Sequence, residues 1–187
     1  MNLRDAGPVT NDGLAVTDIL WTIGHSTRTF DELALTLEEA RIELVADVRR
    51  FPGSRRLPQF ESASLQAELE TRGIAYRWIP ALGGRRRPAP DSVNTAWTHP
   101  AFRAYADHIH TEEFAEGLVE LLMLAGGLRT AIMCAEVLWW RCHRRLIADV
   151  LVSLGVSVEH LFAPGKSEQH RLAPPARLEN GRLTYRG

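Results

Sequence analysis

The sequence predicts a single-domain α/β sandwich, a mostly parallel sheet of about five strands flanked by helices. Three observations carry this reading. Short apolar runs of strand length alternate with longer stretches whose apolar residues recur at helical spacing, the order expected of parallel strands joined by crossover helices. A chain of 187 residues, 45% of them hydrophobic, is sized for one core. No linker divides it and no segment repeats.

Residues 1–18 include Gly7, Pro8, Asn11, Asp12 and Gly13 without periodicity and are expected to form a mobile arm. Ile19 to Ile23 reads as the first strand, left through Gly24-His25-Ser26. Thr29 and Glu32 have the spacing of a capping box, and Phe30, Leu33, Leu37 and Ala40 give the following helix one apolar face. Leu44 to Val48 is a second buried strand, ending at Asp47-Val48-Arg49. Ser64 to Arg72 fits a helix stopped by Gly73, and Ile74 to Ile79 a third strand. From Pro80 to Pro100 the periodicity fails for about twenty residues, longer than most connections in a compact domain, which marks the stretch as functional or mobile. Ala101 to His110 and Glu112 to Ala125 are helical, and Thr130 to Met133 is a buried strand. Arg141 to Leu154 presents Leu146, Ile147, Val150, Leu151 and Leu154 on one helix face, and Val156 to Leu161 is the last strand. The α/β domain is therefore expected over 19–162, followed by a turn-rich tail over 163–187. Within that tail Asn180-Gly181 has the character of a two-residue hairpin centre.

Lysine and arginine total 22 against 23 acids, so a net charge of −1 argues against a surface generally coated by polyanion. The balance conceals an asymmetry. All the bases but Lys166 are arginine, and from Arg49 to Arg103 ten arginines face only Glu61, Glu68, Glu70 and Asp91. Arginine suits bidentate oxyanion binding, although a GC-rich genome produces the same skew. Two cysteines, no basic-then-apolar leader and no apolar stretch near about 20 residues point to a soluble protein of the cytoplasm with no membrane association.

Four phrases stand out together: Thr22-Ile-Gly-His-Ser26, Asp47-Val-Arg-Arg-Phe-Pro-Gly-Ser-Arg-Arg56, Leu82-Gly-Gly-Arg-Arg-Arg-Pro88, and Met133-Cys-Ala-Glu136 with Trp140-Arg-Cys-His-Arg144. In this combination the chain resembles the bacterial and archaeal family catalogued as domain of unknown function 488, from about Trp21 to Leu161. The resemblance implies a compact α/β domain and supplies no reaction.

The chemistry must then come from the residues. Cys134 ends an apolar strand beside a helix start and arginines, where a thiolate is favoured, and is a candidate nucleophile with Glu136, Asp47 and His25 as further catalytic candidates. Asp47-Val48-Arg49 with a later cysteine loop is faintly similar to rhodanese sulfurtransferases and cysteine phosphatases. The loop from Cys134 to Arg141 is longer than the phosphatase signature and lacks glycine. A free cysteine is also commonly a small buried hydrophobe. Cys134, Cys142, His143 and His25 are potential metal ligands, but short paired spacings are absent, and no metal or other cofactor is expected. Ser26, Arg49, Arg55, Arg56, Arg85, Arg86, Arg141, His143 and Arg144 leave strand ends that converge if the sheet is parallel, and are candidates for binding an anionic substrate. Trp97, Tyr105, Trp139 and Trp140 are placed to stack bases at the rim. The expected partner is therefore an anionic small molecule or nucleic acid. The expected function is an enzyme with a strand-end pocket for a phosphorylated or nucleotide-containing substrate. A non-catalytic nucleic-acid-binding or regulatory module and rhodanese-like sulfur transfer are the alternatives.

Overall fold

The alternation of apolar runs and helical faces builds six strands into one sheet. The computed structural model describes residues 18–53, 56–179 and 181–187. Within them the strands are β1 (Ile19–Gly24), β2 (Leu44–Asp47), β3 (Ala75–Trp78), β4 (Thr130–Cys134), β5 (Ser157–Ala163) and β6 (Lys166–Gln169). Their spatial order is β3-β2-β4-β1-β5-β6, with β6 antiparallel to β5 and the other pairs parallel. The helices are α1 (Phe30–Glu39), α2 (Ser62–Thr71), α3 (Pro100–His108), α4 (Glu112–Ala125) and α5 (Arg144–Ser153). No helix among the described residues is long and apolar enough to cross a membrane.

Strand alternation divides the core. Trp21, Ile23, Val45, Ala131 and Met133 face α1 and α2 through Leu33, Leu37, Leu65 and Leu69. Leu20, Ala46, Ile132, Cys134 and Val158 face α3, α4 and α5 through Tyr105, Phe114, Leu121, Leu146 and Leu151. The central strands, buried on both faces, read as nearly continuous apolar runs for this reason. α1 begins at the capping box of Thr29 and Glu32 that the sequence predicts. Between β3 and α3 the chain is irregular apart from one 3-10 turn at Pro80–Leu82, and α5 is preceded by another at Trp139–Arg141.

β6 lies where the sequence reads as turn-rich. Its four residues, Lys-Ser-Glu-Gln, are exposed along their length, so they carry no apolar alternation to betray a strand. Charged, polar edge strands are one way in which sheets avoid unwanted pairing. The C-terminal segment also forms an antiparallel hairpin, β7 (Arg177–Glu179) with β8 (Arg182–Thr184), around the expected turn. Residues 1–17, to which most of the expected arm belongs, lie outside the described residues, as do Ser54, Arg55 and Asn180.

β1 and β4 are neighbours, yet the helices that follow them cover opposite faces. Such a switch opens a crevice beyond the carboxyl ends of the strands, the usual ligand position in open α/β sheets. The two chains stay zipped for one step past the sheet, His25 N–H donating to Cys134 O at 3.0 Å and Ser26 N–H to Ala135 O at 2.8 Å. Gly24 makes this approach feasible, because an added Cβ would stand 2.0 Å from Glu136 O. Replacing Gly24 with alanine is expected to cost about 3 kcal/mol or more, since backbone rather than a flexible side chain must yield. Urea unfolding measures this, and a loss below about 1 kcal/mol would mean that the turn relaxes freely.

Candidate functional site

On the α3–α5 side of the crevice the strand end and the helix start bring two thiols and an imidazole together. Cys134 ends β4, and the 3-10 turn carries the chain back so that Cys142 and His143 return to it. His143 Nδ1 lies 3.8 Å from Cys134 Sγ and 3.6 Å from Cys142 Sγ. Its Nε2 lies 3.1 Å from Val48 O, and because a carbonyl only accepts, Nε2 carries the proton. In the neutral ring Nδ1 then turns its lone pair toward both sulfurs. The sulfurs also face each other. Interaction with Cys142 and burial push the Cys134 thiol up, while Cys142 is held low despite its burial by its interaction with Cys134, by the adjacent His143 and by the Arg144 charge. The lowered thiol of the pair is thus Cys142, whereas the sequence assigned that role to Cys134.

Arg144, expected to contact substrate, is instead 1% exposed. Nη1 donates to Thr22 Oγ1 at 3.1 Å and Nη2 to the carbonyls of Glu136 and Val137, while Nε is buried without a partner. No carboxylate pairs with it among the described residues. From Thr22 a buried row continues: Oγ1 to His160 Nδ1 at 2.7 Å, His160 Nε2 to His170 Nδ1 at 2.9 Å, and His170 Nε2 to Asp149 Oδ1 at 2.9 Å. Asp149 also accepts from Ala173 N–H at 2.9 Å and the Tyr185 hydroxyl at 2.8 Å. With both rings neutral the proton order is fixed, because the carboxylate must accept and the guanidinium must donate. Burial, then the proximity of the His170 ring and the Arg144 charge, pushes His160 down to about 2. Trp139 stacks on its ring at 4.2 Å.

Across the sheet, on the α1–α2 side, lies a second polar group. Asp47 is fully buried and accepts from Arg49 N–H at 3.0 Å, Nε at 2.9 Å, Nη2 at 2.5 Å and the Tyr76 hydroxyl at 2.7 Å. Arg49 Nη1 donates to Phe60 O at 2.7 Å and lies 3.3 Å from His25 Nε2. His25 Nδ1 donates to Ser26 O at 2.9 Å, and the ring stacks on Phe60 at 4.1 Å. Burial and the Arg49 charge push His25 down to about 4. Asp47, Arg49 and His25 therefore satisfy one another, and none presents a free group to the thiols. Ser26 holds a left-handed φ of 47°, strained for a residue with a side chain.

Two recesses of about 410 and 170 Å³ open over the thiols, sharing Gly84, Arg85, Cys134, Ala135 and His143. The larger adds Glu136, Trp140, Arg141, Cys142 and His99, the smaller Arg49, Arg50 and Phe51. Recesses of about 450 and 770 Å³ elsewhere contain no cysteine or histidine, so size does not mark the reactive place. Arg85 and Arg141 are exposed on the rim, and Arg85 holds a left-handed φ of 59°. Arg86 is tied to Glu113 at 2.6 Å and to Gly83 O at 2.9 Å. Arg56 is exposed and lines neither recess, and Arg55 lies outside the described residues. The Glu136 carboxylate accepts from Leu138 N–H at 3.2 Å.

Sequence reasoning did not single out Thr22, His160, His170 and Asp149. A signal existed for Thr22, which interrupts an otherwise apolar strand, and His160 occupies a buried position of β5, where a polar group needs a partner.

The depressed histidines set a pH dependence. The unfolded chain protonates His25 and His160 near pH 6.5, whereas the folded chain keeps them neutral to about 4 and about 2. Stability is full above pH 6.5 and falls below it as the unfolded state takes up protons that the folded state refuses. For His25 the whole interval corresponds to roughly 3 kcal/mol, lost by about pH 4. Urea unfolding at pH 7 and pH 5 is expected to show a smaller loss in His25→Gln than in the unaltered chain. An equal loss would remove His25 from this role.

Comparison with known proteins places these motifs. The family model described as Domain of unknown function DUF488 matches residues 29–151. No curated protein and no solved structure matches the chain. The matched span runs from the capping box of α1 to Leu151 of α5, takes in Asp47, Arg49, Cys134, Cys142, His143 and Arg144 but not Thr22, His25, His160 or His170, and covers well over half of the sequence. The chain belongs to the family of domain of unknown function DUF488.

Proposed function

We propose that this chain is an enzyme that binds an anionic, phosphorylated or nucleotide-containing substrate in the recess over Cys134, with Cys134 as nucleophile. One observation carries the reading: Arg144 is a buried cation near enough to act electrostatically on both thiols, with no carboxylate paired to it among the described residues. A charge so placed requires a counter-charge, and one thiolate shared by Cys134 and Cys142 supplies it. As Cys134 attacks, its proton passes to the Cys142 thiolate. A sulfur lone pair forms the new bond, and the leaving group departs with its electron pair toward the rim at Arg85 and Arg141. Glu136 and His143 border the reaction, while Asp47, Arg49 and His25 hold the wall behind it and Ser26 lines neither recess. The free thiols of this reading belong to a reducing compartment, the cytoplasm.

A non-catalytic nucleic-acid-binding or regulatory module draws on a different observation, the exposed indole of Trp140 next to Arg141, suited to stacking a base. A screen of nucleotides, sugar phosphates and short oligonucleotides by thermal shift, followed by turnover assays, separates the two. Arg85→Ala is expected to weaken binding by about 1–3 kcal/mol, the scale of one charge-assisted hydrogen bond. Cys134→Ser is expected to bind and not turn over. Unchanged behaviour of that variant assigns the binding module, and a persulfide recovered on Cys134 assigns sulfur transfer. Absence of stabilisation by any of these compounds or by sulfate ends the anionic-substrate reading.

A further inference from the structure

The two sulfurs and the imidazole converge on one point as well as on one another. All three ligand atoms fall within 4.8 Å of each other, with sulfur-to-nitrogen separations of 3.8 and 3.6 Å. Tetrahedral zinc, with sulfur at about 2.3 Å and histidine nitrogen at about 2.0 Å, spaces such neighbours by roughly 3.6 Å. The two sulfur-to-nitrogen edges therefore already have the length of a coordination tetrahedron, and the sulfur-to-sulfur edge, within 4.8 Å, has to close by at most about 1 Å to reach the roughly 3.8 Å of two sulfurs on zinc.

Its surroundings fit the same purpose. Val48 O accepts the Nε2 proton of His143 at 3.1 Å, which leaves Nδ1 as the ligand atom and fixes the ring, the arrangement that metal-bound histidines use. Gly84 faces the imidazole so closely that an added Cβ would stand 2.9 Å from Nδ1, and both recesses open beside it. The ligands come from the end of a central strand and the start of a packed helix, elements that hold their spacing. His25, a sequence-level candidate for the same set, is excluded by its bonds to Ser26 and Arg49.

We propose that Cys134, Cys142 and His143 bind a thiophilic divalent cation, zinc the commonest, with a fourth position open to the recess beneath Arg85. The inference rests on the reading of this recess as the reactive centre and deepens it by naming what controls it. In the empty site Cys134 is free to attack. In the loaded site both sulfurs are ligands, their last proton is released to solvent, and the open position takes water or an anionic oxygen of the substrate.

The test needs no substrate. The full chain, stripped by chelator and kept reduced, is titrated with cobalt(II) and followed by absorption. The expected result is an equimolar end point, a thiolate-to-cobalt charge-transfer band with the strong visible bands of tetrahedral cobalt, and loss of both on adding zinc. Cys142→Ser is expected to lose about half of the charge-transfer intensity and His143→Ala the tetrahedral bands. Should either variant fail to fold, the unaltered chain still decides, because equimolar zinc must abolish iodoacetamide labelling of Cys134. Weak octahedral-type bands without charge transfer, or labelling indifferent to zinc, overturn the proposal. Anion binding that survives such a failure leaves the proposed function intact, whereas cobalt bands in a chain that binds no anion remove that function and keep the cation site.

Discussion

A guanidinium enclosed without a carboxylate partner among the described residues is the constraint around which this end of the molecule is arranged. Arg144 joins Thr22 of β1, the carbonyls of the turn after β4 and the first turn of α5, so three elements that meet at the crevice are fixed by one side chain. Removing a buried charge from such a network leaves its acceptors unsatisfied, a change on the order of 3–5 kcal/mol where a paired ion is broken. Thr22 turns the charge toward a row of neutral rings, and Asp149 closes the row at its far end. Positive and negative groups are thereby buried apart, joined by hydrogen bonds in place of a direct pair.

The opposite side of the sheet solves the same problem differently. Asp47 and Arg49 are two residues apart and meet directly, with Tyr76 filling the remaining lone-pair direction of the carboxylate. Phe60 O and His25 Nε2 take what is left of the guanidinium. This closed group stiffens the wall of the smaller recess, and it explains why an arginine at a strand end need not be a ligand for anything outside the protein.

Much of the architecture was legible because its signals are local. Five strands and five helices follow from periods of two and 3.6, and the start of α1 from the Thr29–Glu32 spacing. β6 was not, since its four exposed polar residues gain their pairing from β5 alone. The site was legible as a set of strand ends and not as a geometry. Asp47 and Cys134 both terminate apolar strands, but Asp47 is in register with Met133, so Cys134 points to the other face. A pleat of period two fixes which side chains share a face only once register is known. The eight-residue spacing of Cys134 and Cys142 allowed the two thiols to be neighbours, but the glycine-free loop between them did not disclose the 3-10 turn that brings Cys142 back.

The single proton order from Thr22 to Asp149 has a consequence for how the interior communicates with water. One hydroxyl and two ring protons are committed to neighbours on both sides and shielded by the plane of Trp139. None can trade places with a solvent proton until His170 and Tyr185 lift away from Asp149. The lifetimes of those protons therefore form a clock for partial opening of the C-terminal segment, separate from the unfolding of the sheet beneath it.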